Sequence, residues 1–333
     1  MRDILPTLRR WRNDGRRYAL ATVVQTWGSS PRPTGSVMGI ADDGTVVGSV
    51  SGGCVETAVM EAARKTLETG IPQMLDFGAL SDESVWEVGL SCGGRIQVWV
   101  ESDPYNSVAW RGCAEQVEQG SSCALITHYA SDRRWEWMPD SPYPDDLPHI
   151  VWDRAGEAVA SRQSQEVEND YFILALPRPE RVIVVGAVHI AIPLVALAKA
   201  IGFEVIVVDP RPTLAKPERF SSPPDQLMPV WPHEALASLS PRESDYAVVL
   251  THDPKIDDAA LAILLKSPVK YIGALGSRTT QAKRRQWLME SGFTEEDLKR
   301  IHGPVGLAIG ARTPEEIAVS IVAEIVQVRN AVR

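Results

Sequence analysis

Cysteine is scarce in this chain. The four present, Cys54, Cys92, Cys113 and Cys123, are spread through 333 residues with no Cys-x-x-Cys pair among them. That excludes a disulfide-dense secreted scaffold and a ribbon-type zinc site, and it implies reduced thiols in a cytoplasmic protein. Positive charge is also in short supply. A net charge of −9 argues against a general nucleic-acid binder. No signal peptide is expected; the arginine-rich start (Arg2, Arg9, Arg10, Arg12, Arg16, Arg17) lacks serine and holds Asp3 and Asp14, so it reads as a surface helix rather than a transit peptide. Apolar runs of membrane length are missing too. The longest candidate, residues 182–203, is interrupted by Gly186, His189, Pro193 and Lys199 and reads better as a strand followed by a helix. No Gly-x-Ser-x-Gly elbow marks a nucleophilic serine.

What remains is a length suited to two domains. The expected fold is α/β: an N-terminal mixed α/β domain over 1–176, a stiff Pro177-Arg178-Pro179 linker within 177–180, and a C-terminal Rossmann-like domain, a doubly wound parallel sheet, over 181–333. The second half alternates strand (181–186, 204–208, 246–250, 270–275) with helix (near 189–201, 232–239, 257–265, 279–290, 314–329), which is the pattern of a parallel sheet. Thr313-Pro314-Glu315-Glu316 spells a capped helix start. In the first half, strands are expected at 18–24, 37–40, 45–50, 96–100 and 171–176, with residues 131–149 as an acidic, proline-rich loop.

The chemistry-bearing stretch of the first half is Ser51-Gly52-Gly53-Cys54-Val55-Glu56. An apolar run ends there, two glycines break it, and Val55, Ala58, Val59, Ala62 and Leu67 then recur at helical spacing. A thiol at such a helix start meets unpartnered amides and the positive end of a helix dipole, which stabilise a thiolate. The competing reading is a small buried hydrophobe beside a turn. Cys92-Gly93-Gly94 repeats the theme 38 positions later, whereas Cys113 and Cys123 read as core packing. Trp27-Gly28-Ser29-Ser30-Pro31-Arg32-Pro33-Thr34-Gly35-Ser36 is a dense loop signal, able to hold an anion or to be a rigid surface loop.

In the second half Gly186-Ala187-Val188-His189-Ile190-Ala191 sits where a dinucleotide fingerprint belongs, with Asp209 ending the next strand. Val188 replaces the glycine that lets a backbone approach a pyrophosphate. His189 faces either a ligand or a neighbouring carbonyl, and Asp209 either a ribose or its own turn. Thr251-His252-Asp253 and Gly276-Ser277-Arg278 lie at later strand ends, where parallel sheets bind ligands. The basic run Lys283-Arg284-Arg285 reads as a solvated helix face.

Taken in order, Ala21-Thr22-Val23-Val24, Gly28-Ser29-Ser30-Pro31, the Ser51–Glu56 stretch, Cys92-Gly93-Gly94, the Gly186 loop, Thr251-His252-Asp253, Tyr271-Ile272-Gly273, Gly276-Ser277-Arg278, Pro304-Val305-Gly306-Leu307 and Thr313–Ile321 resemble the XdhC/CoxI family, maturation factors for molybdenum hydroxylases such as xanthine dehydrogenase. The resemblance implies a molybdenum cofactor chaperone or insertion factor rather than a turnover enzyme. Such a factor binds molybdopterin, or its cytosine dinucleotide form, supports its sulfuration with a cysteine desulfurase, and delivers it to an apo molybdenum hydroxylase. It further implies a homodimer, cofactor contacts from Ser51, Gly52, Gly53, Cys54, Glu56, Cys92, Gly93, Gly94, Gly186, His189, Asp209, Thr251, His252, Gly276, Ser277 and Arg278, and Cys54 and Cys92 as metal ligands. Two positions depart from the family pattern: Val188 stands where a glycine is usual, and Gly303 where many members have cysteine. The alternatives are an NAD(P)-dependent oxidoreductase built on the Rossmann-like half and a nucleotide-binding regulatory module with no chemistry.

Overall fold

A computed structural model describes residues 1–30, 32–53, 55–78, 94–131 and 133–331. Cys54, Cys92 and Gly93 lie outside the described residues. The chain divides into two compact units, Met1–Arg178 and Pro179–Arg333.

The first unit is built from α1 (Leu5–Asn13), β1 (Tyr18–Trp27), β2 (Val37–Ala41), β3 (Val46–Gly48), α2 (Glu56–Thr69), β4 (Gln73–Phe77), β5 (Arg95–Ser102), α3 (Val108–Glu118), β6 (Cys123–His128), β7 (Arg134–Trp137), α4 (His149–Ser161), β8 (Gln165–Val167) and β9 (Tyr171–Leu176). Two antiparallel sheets result, ordered β3-β2-β1-β5-β4 and β7-β6-β9-β8. One face of β1 (Ala19, Ala21, Val23) packs with Val55, Val59 and Ala63 around α2. Its other face (Tyr18, Leu20, Val24) packs with Leu125, Phe172 and Leu174 of the second sheet. A strand buried on both faces shows no hydrophobic alternation, and β1 is buried from Tyr18 to Val24. α2 stops at Gly70, whose left-handed φ of 71° caps it.

Two expectations need correction here. The strand expected over 45–50 ends at Gly48, which turns away at φ 76°; Val37 O lies so close that a Cβ at Gly48 would meet it at 2.4 Å. Within the stretch expected to be loop, Arg134–Trp137 forms a strand on β6, pairing Trp137 with Ala124 and Trp135 with Ile126, and α4 opens at His149. The acidic, proline-rich flanks hid a short strand whose stability comes from its neighbour.

The second unit follows as β10 (Arg181–Val185), α5 (Ala191–Ala200), β11 (Glu204–Val208), β12 (Gln226–Met228), α6 (Pro232–Leu239), β13 (Tyr246–Val249), α7 (Pro254–Leu265), β14 (Tyr271–Ala274), α8 (Arg278–Glu290), α9 (Glu295–Leu298), β15 (Ile301–His302) and α10 (Pro314–Asn330). All six strands are parallel, in the order β12-β11-β10-β13-β14-β15. Every residue of β10, β13 and β14 is buried, and each valine or isoleucine so placed contributes roughly 1.5–3 kcal/mol. α5 and α10 cover one face and α6 and α7 the other, the doubly wound arrangement. The strand order reverses between β10 and β13, so the crevice where such sheets take ligands opens at their C-terminal ends. No described helix is long and apolar enough to cross a membrane.

Candidate functional site

In the first unit the topology gathers the glycine-bearing loops. β1 runs antiparallel to β2 and β5, β2 to β3, and β5 to β4. Trp27, Val37, Gly48, Phe77 and Arg95 therefore all stand at one end of the five-stranded sheet, and the described residues 28–30, 32–36, 49–53 and 94 share that end. Contact distances support this. A Cβ at Gly94 would come within 2.0 Å of the Ser29 carbonyl oxygen, and one at Gly28 would meet the Gly94 Cα at 3.7 Å. Only a glycine permits that crossing. Beside it, the Arg95 guanidinium lies 4.4 Å over the Trp27 ring and pairs with Asp76.

Glu56, the first residue of α2, closes the Ser51-Gly52-Gly53 turn. Its carboxylate accepts the Ser51 amide at 3.0 Å and the Ser51 hydroxyl at 2.6 Å, and the Ser49 hydroxyl lies 3.0 Å away. The Gly53 amide donates to the Ser51 hydroxyl at 3.2 Å. Burial would raise the Glu56 carboxyl, but these hydrogen bonds hold it below its ordinary value. Ser51 is buried while Gly52 and Gly53 are exposed. The turn is thus anchored from beneath and presents its glycine backbone outward. Because the folded-state carboxyl is depressed, the clasp is complete at neutral pH and is lost as pH falls through that lowered value. Replacing Glu56 by glutamine is expected to cost about 1 kcal/mol locally. The readout is faster hydrogen exchange at the Ser51 amide at pH 7; unchanged exchange would count against the clasp.

Cys113 and Cys123 are both buried, their thiols turned onto the carbonyls of Ala124 and Cys113. The adjacent Cys123 and burial push the Cys113 thiol well up, so it is a packing group and not a nucleophile. Among the described residues no cluster of three or more His, Cys, Asp or Glu could hold a metal ion.

In the second unit the turns after β10, β11, β13 and β14 line one edge. Gly186, at φ 112°, presses on Thr251: a Cβ there would meet Thr251 Cγ2 at 2.6 Å. Asp257 of α7 is buried beneath the Thr251-His252-Asp253 turn. It accepts the Thr251 amide (3.1 Å) and hydroxyl (2.5 Å) and the His252 amide (2.9 Å). His252 is exposed with φ 63°, a left-handed backbone that histidine tolerates better than most residues. Arg284, expected on a solvated face, is instead 5% exposed. It reaches Asp257 at 3.3 Å, Asp258 at 3.1 Å, the Leu275 carbonyl at 3.2 Å and Gln281 at 3.0 Å. One buried guanidinium thereby ties the β13 turn to the β14 turn. Burial pushes the Asp257 carboxyl up despite its partners.

Gly276, at φ 139°, leads into Ser277, whose hydroxyl caps the Thr280 amide of α8, leaving Ser277 and Arg278 exposed at the edge. His189 is exposed too. Asp209 is fully buried, bonded to Ala187 and Arg211. The turn after β15 is held from α10, where Glu324 accepts the Gly306 amide (2.8 Å) and the Tyr271 hydroxyl (2.5 Å) and meets His302 at 3.1 Å. A cleft of about 220 Å³ lies between Gln281, Arg284, Leu288, Leu298, Ile301 and Gly303. That is below the roughly 300–1,000 Å³ usual for small-molecule sites, room for a fragment of a ligand.

Comparison with known proteins places this geometry in a family. The model described as the XdhC and CoxI family matches residues 11–78, and that described as the XdhC Rossmann domain matches 182–325. A Bacillus subtilis protein named as a probable xanthine dehydrogenase subunit is 32% identical, over 96% of this chain and 95% of its own length. The chain belongs to the XdhC/CoxI family. An Escherichia coli relative named molybdenum cofactor insertion chaperone PaoD is 25% identical across 95% of this XdhC/CoxI chain and 84% of that protein. A crystal structure titled as a xanthine dehydrogenase from Bacillus halodurans superimposes with a TM-score of 0.80 at 27% identity, covering 99% of this chain and 96% of that one. The two matched segments of the XdhC/CoxI chain take in the Gly28, Ser51 and parallel-sheet turns described above. Asp257, Arg284 and Glu324, which shape those turns, were not singled out by the sequence. Their only linear signals are an acidic pair opening a helix and one arginine within a basic run.

Proposed function

We propose that this chain takes up molybdenum cofactor as cargo, holds it while a cysteine desulfurase supports its sulfuration, and passes it to an apo-hydroxylase of the xanthine dehydrogenase type. The observation carrying this reading is the convergence of the Gly28, Ser51 and Gly94 backbones at one end of the five-stranded sheet. Likeness over 95% of this chain to a relative named as an insertion chaperone supports it. The cargo is an anionic pterin with a soft dithiolene-bound metal. Glycine turns offer backbone amides to the phosphate. Thiolate from Cys54 or Cys92 suits molybdenum or a sulfur atom in transit. In this reading Ser51, Gly52, Gly53, Glu56 and Gly94 shape the N-terminal receptor. Taken by itself, the C-terminal unit offers Thr251, His252, Gly276, Ser277 and Arg278, with His189 on the adjacent β10 turn, as a nucleotide berth. A homodimer working in the cytoplasm completes the proposal.

The test is to purify the chain from cells that make the cofactor and to measure bound molybdenum by mass spectrometry and pterin by fluorescence after oxidation. Both are expected, together with restored activity when an apo-hydroxylase is added. Cys54→Ala should lower retained pterin about tenfold or more at unchanged melting temperature. Wild-type protein free of both molybdenum and pterin would overturn the reading.

A further inference from the structure

A doubly wound sheet with an acid at the end of its second strand ordinarily grips a dinucleotide: the first turn yields to the pyrophosphate, and the acid accepts the ribose hydroxyls. The residues at this crevice do not fit that ligand. Asp209 is 0% exposed. Its Oδ1 accepts the Arg211 amide at 2.9 Å and Arg211 Nε at 2.8 Å. Its Oδ2 accepts the Ala187 amide and Arg211 Nη2, each at 2.7 Å. A carboxylate has about four lone-pair positions, and four donors fill them, so a diol finds no acceptor. The other side of the same turn is closed as well: Arg219 Nη1 donates to the Ala187 carbonyl at 2.6 Å and the Leu214 carbonyl at 2.8 Å. Val188, where a glycine would admit the pyrophosphate, is half-buried against the apolar layer around α5.

We infer that Arg211 is a specificity-determining residue that shuts this crevice to NAD-type ribose by saturating Asp209. Burial alone would raise the Asp209 carboxyl, and the Arg211 and Ala187 hydrogen bonds hold it low instead, so the pair is fully ionised at neutral pH. Asp209 counters the Arg211 charge through Nε and Nη2, and Asp253 and Asp257 add to it. The consequence is that the oxidoreductase alternative lacks its cofactor grip, and that any ligand of this edge is left to the β13 and β14 turns. The inference stands whether or not the chain carries molybdenum cofactor.

Titration of the full-length chain with NADH and NADPH, followed by energy transfer from its tryptophans and by calorimetry, should show no saturation up to about 1 mM. Arg211→Met combined with Val188→Gly removes two of the four donors and opens the turn. It should bind NADH at least about tenfold more tightly than wild type, with circular dichroism unchanged. Wild-type saturation at micromolar NADH, or a folded double variant with no gain, would overturn the inference. If the double variant does not fold, the wild-type titration decides by itself.

Discussion

Arg284→Met is expected to destabilise the C-terminal unit by about 3–5 kcal/mol, the usual cost of stranding a buried ionic partner. Arg284 and Asp257 are 5% and 0% exposed, and Asp258 is only partly exposed. Removing the guanidinium leaves Asp257 and Asp258 without their shared counter-charge, and the Leu275 carbonyl without this donor. Asp257 keeps its bonds from Thr251 and His252, so the loss falls on the charge and not on the whole turn. Urea unfolding at constant m-value measures it. Lys283→Met, one residue away on the exposed face, should change stability by no more than about 0.5 kcal/mol. The variant Arg284→Met with Asp257→Asn should recover part of the loss, because one of the two stranded charges is gone. A cost below about 1 kcal/mol for Arg284→Met would show that the guanidinium does not hold the two turns together.

Gly94→Ala should have the second large effect, and one that reaches function. The added methyl would lie 2.0 Å from the Ser29 carbonyl oxygen and 3.1 Å from that of Trp27. Both are backbone atoms, and no side-chain rotation relieves the contact. The strands β1 and β5 would have to part where they end, at a cost of about 1–3 kcal/mol. Because the displaced segment is the Gly28 loop, pterin retention should fall more than stability predicts, by about tenfold or more. Gly70→Ala is the control. It also has positive φ, but nothing lies within 4 Å of the new Cβ, so it should lower the melting temperature with little loss of cargo. Equal retention in the two variants at matched stability would separate the Gly28–Gly94 crossing from the cargo site.

The parallel sheet was legible because its strands are runs of β-branched residues, Val182-Ile183-Val184-Val185 and Val205-Ile206-Val207-Val208, bounded by glycine or aspartate. Segments that owe their form to a neighbour were not: Arg134–Trp137 exists as a strand through β6, Gln226–Met228 through β11 and Ile301–His302 through β14. β1 ran three residues past its expected end, because a bulge between Val23 and Gln25 carries the pairing with β5 out to Trp27. The turns of the candidate site were legible from their glycines, whose conformational freedom is written in the residue type. The groups that brace them were not, since a bond from Arg284 to Asp257 spans 27 positions and one from Glu324 to Gly306 spans 18. Three adjacent basic residues on a helix point in three directions about 100° apart. Composition alone therefore could not show that the middle one turns inward.

The five-stranded sheet of the first unit has a second end. There the Asp42-Asp43-Gly44 turn joins β2 to β3, with exposed side chains and open space around Gly44. Extra residues at that hairpin tip would lengthen the chain without entering the register of β1, β2 or β5. It is the natural place to graft a fluorophore or an affinity handle, letting the proposed cargo exchange be followed in real time from the opposite end of the sheet.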